Sequence, residues 1–196
     1  VLRAAGLDNV AFVPQGVDPT LFHPAPRGGL LRDRFVVFSG GKLELRKGQD
    51  IVIEAFKRFR ARHPEALLML AWHNAWPASL KTLTASPYLK GELSVGHDRR
   101  LKLGPWLAQN DLPPEAVLDL GVVPNALTPK VLREADAALF PNRCEGGTNL
   151  VAMESIACGV PTLVSDNTGH RDLIDLCGGD LGVLTRQGRV VGREGW

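Results

Sequence analysis

Glu145-Gly146-Gly147-Thr148-Asn149-Leu150-Val151-Ala152-Met153-Glu154 joins a strand to a helix through a pair of glycines. Upstream, Ala137–Phe140 is a short apolar run stopped by Pro141; downstream, Leu150–Cys158 reads as a helix closed by Gly159. Thr148 or Asn149 can serve as the N-cap. The first-turn amides near Leu150 and Val151 then lack internal partners, and with the helix dipole they form an anion site suited to a phosphate. Gly146 and Gly147 let a ligand approach the backbone closely. Glu154 lies one turn further on, and side chains on a helix lean toward its N-terminus, so the carboxylate aims at the end with the free amides. A carboxylate can grip vicinal hydroxyls, as on a ribose. Glu145, ahead of the glycines, is placed to accept from other hydroxyls. Two carboxylates flanking an anion site suit a sugar nucleotide. The plain alternative is a solvent-facing Glu154 and an ordinary loop charge at Glu145.

Working outward, short apolar strands alternate with amphipathic helices. Strands are predicted at Val10–Val13, Phe35–Phe38 (broken by Gly40-Gly41), Ala66–Trp72, Ala116–Leu120, Ala137–Phe140, Val160–Val164 and Gly182–Leu184. Helices are predicted at Asp50–His63, Arg99–Asn110, Pro129–Ala135, Leu150–Cys158 and Arg171–Leu176, with 73–105 the least regular stretch. This alternation argues for an α/β protein with a Rossmann-like, doubly wound parallel sheet and helices on both faces. Ligands of such sheets bind outside the carboxyl ends of the strands, so loops 39–48, 73–77, 121–128 and 141–149 should hold the chemistry. Residues 1–24 read as a linker with the first strand, and 25–196 as one domain.

Ser39-Gly40-Gly41-Lys42-Leu43-Glu44-Leu45-Arg46-Lys47-Gly48 also lies between a strand and a helix. Lys42, Arg46 and Lys47 could neutralise a pyrophosphate while Gly40 and Gly41 allow close approach. It matches neither a Walker A loop nor GxGxxG; on its own it is equally a solvated basic loop. Twenty-three basic against 21 acidic residues give a net charge of +2, which argues against a general nucleic-acid binder. The longest apolar run, Ala66–Trp72, is too short to cross a membrane. Three cysteines with no CxxC pair suggest neither a disulfide framework nor a zinc site, and the default reading is a cytoplasmic protein. The first residue is Val1, no signal-peptide pattern leads the chain, and Arg193–Trp196 carry no evident stop, so both ends read as cut.

In combination these segments resemble the C-terminal, donor-binding domain of retaining family 4 glycosyltransferases of the GT-B fold (glycosyl transferases group 1). The matching stretches, in order, are Val13-Pro14-Gln15-Gly16-Val17-Asp18 with Phe22-His23-Pro24; Gly41-Lys42 with Arg46-Lys47-Gly48; Asp119-Leu120-Gly121-Val122-Val123; Glu145 with Glu154-Ser155-Ile156-Ala157-Cys158-Gly159-Val160-Pro161; and Thr168-Gly169-His170-Arg171-Asp172-Leu173-Ile174. The resemblance implies that Lys47 and Lys42 contact the donor phosphates, that Glu154 holds the ribose and that Glu145 contacts the transferred sugar. The amides of Leu150 and Val151 would take the distal phosphate, and backbone groups at Val123 would meet the base. Eight residues, Gly146 to Met153, separate the glutamates, one more than in the usual family motif, and Thr148-Asn149 replaces its frequent aromatic-Gly pair. Lys42 stands where the family usually has Arg.

The implied function is transfer of a sugar from a nucleoside-diphosphate sugar to an acceptor hydroxyl, with retention and no obligatory metal. An N-terminal domain outside this chain would supply the acceptor site for a sugar, lipid or protein, so the fragment alone should turn over poorly. Two alternatives are a non-catalytic sugar-nucleotide-binding domain and a GT-B-type sugar-nucleotide epimerase, the latter needing an acid–base pair that the sequence does not clearly offer. Trp72 and Trp76 could stack on a base or pack a loop. His170 could approach the site, or serve at the surface or as a cap.

Overall fold

The computed structural model describes residues 2–11, 13, 15–96, 101–179 and 181–185. Six strands, β1 (Val36–Lys42), β2 (Leu67–His73), β3 (Val117–Asp119), β4 (Ala137–Phe140), β5 (Thr162–Ser165) and β6 (Gly182–Leu184), form one sheet. Every pair is parallel and the order is β3-β2-β1-β4-β5-β6. This is the doubly wound order, whose direction of winding reverses between β1 and β4. Helices α1 (Gln49–Arg60), α2 (Leu103–Gln109), α3 (Thr128–Leu132), α4 (Leu150–Ala157) and α5 (His170–Cys177) connect the strands.

Strand alternation sorts the core onto the two sheet faces. On one face Val37, Leu68, Leu70 and Trp72 pack against Val52, Ile53 and Phe56 of α1 and Leu103, Trp106 and Leu107 of α2. On the other, Val36, Phe38, Met69 and Phe140 pack against Leu132 of α3, Ala152 of α4 and Leu173 of α5. Full burial of a side chain such as Phe56 contributes about 1.5–3 kcal/mol. Phe22 joins this second face. The end of the entry segment is therefore anchored, with Arg133 donating to the His23 carbonyl at 2.7 Å.

Several expectations need correction. Val10, Ala11 and Val13 are not in a strand, and Val13 is largely exposed; Phe12 lies outside the described residues. An apolar run with no neighbouring strand to pair with has nothing to hold it extended. Gly40-Gly41 does not break β1. The strand continues to Lys42 because Gly40, Gly41 and Lys42 pair with Ala71, Trp72 and His73 of β2. Helix α1 stops at Arg60 rather than His63, since Pro64 disfavours helical geometry in the residue before it. The stretch 73–105 is more regular than expected, with 3-10 turns over Pro77–Ala85. The helix expected from Arg99 begins at Leu103; residues 97–100 lie outside the description, as do 186–196. Trp72 is buried and donates its indole N–H to Ser39 Oγ at 3.1 Å, so it packs the core, whereas Trp76 is exposed on the loop after β2.

Candidate functional site

The crevice at the switch point is built by the segments leaving β1 and β4. After Lys42 the chain makes a 3-10 turn at Leu45–Lys47 and enters α1 through Gly48. Gly48 has φ +73°, and a Cβ there would sit 2.3 Å from the Pro141 carbonyl oxygen. Only glycine lets the basic loop lie this close to the β4 exit. The Arg143 amide donates to the Arg46 carbonyl at 2.7 Å, locking the two loops together. Arg143 also forms a bidentate pair with fully buried Asp50, both bonds 2.7 Å, and donates to the Leu45 carbonyl at 2.8 Å. Ser86 Oγ donates to the same carboxylate at 2.6 Å.

Within this frame the basic residues meet the acidic ones. Lys47 Nζ pairs with the Glu145 carboxylate. Arg46 bridges Glu145 at 3.3 Å and Glu44 at 2.7 Å, and Lys42 Nζ lies 3.6 Å from Glu44. Asn142 Nδ2 donates to Glu145 at 2.8 Å. Three cations thus face two carboxylates, leaving one net positive charge at the mouth of the crevice. Glu145 is buried and closes the basic loop, instead of standing out toward solvent.

Past Glu145, Gly146 and Gly147 are exposed. Gly169, on the loop before α5, is packed under them: a Cβ there would lie 1.6 Å from the Gly147 carbonyl oxygen. The Gly169 amide donates to the Glu145 carbonyl at 3.2 Å, and Thr168 Oγ1 accepts from the Glu145 amide at 2.7 Å. Asn149, not Thr148, caps α4, its side chain accepting from the Ala152 amide. Thr148 instead donates to Gln15 of the entry segment at 2.8 Å. The first backbone bond within α4 runs from the Met153 amide to the Asn149 carbonyl. The amides of Leu150 and Val151 precede it, at the helix end that carries partial positive charge.

Glu154 is half-buried, and its carboxylate has no hydrogen bond or ion pair among the described residues. Burial pushes its pKa up from the ordinary carboxylate value. His170 is fully buried and bonded to the Asn149 cap. Burial lowers its pKa, with the Glu145 charge opposing. Val123 is half-buried on the loop after β3, two strands from the switch point. The structure therefore links Lys42, Arg46, Lys47 and Glu145 in one ion-pair cluster and sets Gly40 against the Val151 side chain, so the loops after β1 and β4 share one crevice; Glu154 lies one turn along α4, and Val123 lies on the loop after β3. Sequence reading missed Asn142 and the Asp50–Arg143 pair. One signal was available: Asp50 stands three residues before Ile53 and six before Phe56, on the buried stripe of α1, where a carboxylate needs a partner.

A parallel sheet in this order with an anion-ready crevice defines the doubly wound α/β class that receives nucleotides at its switch point. Within that class, the chain belongs to the glycosyl transferases group 1 family, whose profile matches residues 26–178. It is 26% identical over 168 residues to mannosylfructose-phosphate synthase of Agrobacterium fabrum, covering 82% of this chain and 33% of that protein. It is 29% identical over 172 residues to D-inositol 3-phosphate glycosyltransferase of Stackebrandtia nassauensis, covering 84% and 35%. The chain spans about a third of the length of these relatives. Its fold matches the C-terminal domain of a glycosyl transferase group 1 protein from Francisella tularensis (TM-score 0.57, 18% identity, 76% of this chain and 70% of that one). It also matches Anabaena HepE in complex with UDP and glucose (TM-score 0.59, 19% identity, 81% and 39%). The Rossmann-like fold is that of GT-B glycosyltransferases. Among the described residues no helix is long and apolar enough to cross a membrane.

Proposed function

We propose that this chain is the donor-binding domain of a retaining glycosyltransferase that moves a sugar from a nucleoside diphosphate to an acceptor hydroxyl. The observation that carries the reading is a basic loop beside an open helix N-terminus, with a carboxylate, Glu154, that has no partner among the described residues one turn along the same helix. A diphosphate needs the first two, and ribose hydroxyls supply what the third lacks. Bond cleavage at the anomeric carbon loads negative charge onto the departing diphosphate. Once donor is bound, Lys47, Arg46 and Lys42, with the amides at Leu150 and Val151, would face that growing charge and stabilise it. No step of this scheme calls on a metal. Lys47 and Arg46 turn from Glu145 to the phosphates as donor binds, which frees the Glu145 carboxylate for the sugar hydroxyls. The base would lie toward Val123. The acceptor and the groups that hold it belong to a domain outside this chain, so the chain by itself binds donor without appreciable transfer.

The test is calorimetric titration with UDP, GDP and ADP, starting from UDP because HepE holds it. Lys47→Ala and Glu154→Ala should each weaken the preferred nucleotide about ten- to a hundredfold, the loss of one charge-assisted contact. Binding that neither substitution changes would place the nucleotide elsewhere and overturn the reading.

A further inference from the structure

The fully buried imidazole of His170 sits directly behind the residue that caps α4. Its Nε2 lies 3.1 Å from Asn149 Nδ2, and its Nδ1 lies 3.2 Å from both the carbonyl oxygen and the Oγ of Ser165. A carbonyl only accepts, so Nδ1 carries the proton and Nε2 is left as an acceptor. Ser165 Oγ spends its own hydrogen on the Asn142 carbonyl, which leaves its oxygen free to accept. With Nε2 accepting, Asn149 must turn its NH2 toward His170 and its Oδ1 toward the Ala152 amide at 3.4 Å. One neutral tautomer thus fixes the amide orientation that caps the helix.

From this geometry we propose that His170 is a positioning residue for the phosphate end of the crevice: as neutral imidazole it holds Asn149 in its capping orientation, and as imidazolium it releases the cap. The inference rests on the donor-site reading above and deepens it. Protonation puts an N–H on Nε2, facing the N–H of Asn149. Flipping the amide relieves that conflict but turns its NH2 onto the Ala152 N–H, which is a second one. No orientation satisfies both neighbours, so the cap is lost and the first turn of α4 loosens. The charged groups facing His170 are Glu145, which favours the imidazolium, and Lys47, which opposes it. Asn149 and Ser165, which bond the ring, are neutral, as are Asn142 and Asn167, which bond Ser165. Burial outweighs Glu145 and holds the imidazole neutral at pH 7.

The experiment follows the protection of the Ala152 amide against hydrogen exchange, between about pH 7.5 and about pH 5, beside UDP affinity over the same range. His170→Gln keeps an acceptor toward Asn149 and cannot titrate; His170→Leu removes the acceptor at every pH. Wild-type protection should fall about tenfold as pH drops, His170→Gln should hold it, and His170→Leu should lack it throughout. UDP affinity should follow the same three patterns while uridine affinity does not. The nucleotide phosphate titrates near pH 6 as well, so the binding readout is the difference between wild type and His170→Gln. Protection at Ala152 that is equal in wild type and His170→Gln at every pH overturns the proposal, as does UDP binding that tightens on acidification in wild type alone. If His170→Leu does not fold, the wild-type and Gln comparison still decides. Exchange needs no ligand: a pH-dependent cap with no nucleotide binding would sink the donor-site reading and leave the capping role standing.

Discussion

In the proposed donor site Glu145 would hold two roles that compete. Its carboxylate satisfies Lys47, Arg46 and Asn142, and together with Glu44 it lets three cations stand together at the crevice. A diphosphate taking the proposed site would have to displace that carboxylate to reach the same cations. Glu145→Gln removes the competitor, so UDP should bind about three- to tenfold tighter, while the advantage of the UDP-sugar over UDP shrinks. Parallel titrations with UDP and the UDP-sugar check this, and weaker UDP binding in the variant would mean that Glu145 organises the cations more than it opposes the ligand. Glu154 is the contrasting case. Its carboxylate is half-buried with nothing to pair with, and its folded pKa is raised. The folded state therefore holds its proton more tightly than the unfolded state. That favours folding below the ordinary carboxylate value of 4.5 and is lost as pH rises through the folded pKa. Once ionised, the half-buried group is a standing cost that the hydroxyls of the proposed donor would offset. Glu154→Gln should raise the urea midpoint at neutral pH, raise it less in acid, and still weaken nucleotide binding.

At the scale of elements, one buried ion pair ties four segments. Asp50 at the start of α1 grips Arg143 after β4; Arg143 holds the Leu45 carbonyl of the basic loop, and Ser86 brings in the segment after β2. Asp50→Ala leaves a guanidinium without its counter-charge and should cost about 3–5 kcal/mol in urea denaturation. The double change Asp50→Leu with Arg143→Met should recover most of that stability. It should still bind UDP more weakly, because the Leu45 carbonyl loses its tether. A double variant that matched wild type in affinity would reduce the pair to a packing device. This pair also shows where sequence reading stops. The glycines and the change of period along 39–48 and 145–154 marked both strand-to-helix loops, since a tight turn between strand and helix favours glycine in any context. That Arg143 reaches Asp50, 93 positions away, depends on β1 and β4 being neighbours, which no local pattern encodes. The extension of β1 through Gly40-Gly41 was illegible for the same reason: it comes from β2.

For the whole molecule, the order β3-β2-β1-β4-β5-β6 places every expected loop on one side, and periodicity alone sufficed to predict that much. The same order has a consequence in time. Strand partners within each half are near in sequence: Val36 meets Leu67, and Leu163 meets Gly182. In the sheet the two halves join at the β1–β4 pairing, where Val37 meets Ala137, 100 positions away. Closing so long a loop carries an entropic cost that the shorter pairings avoid, so each half can gather its own strands before the seam between them shuts. The crevice lies on that seam. If the seam closes last, a chain caught short of that step has both halves of the site and no site, and a nucleotide bound as proposed would act as a suture that slows the parting of the halves.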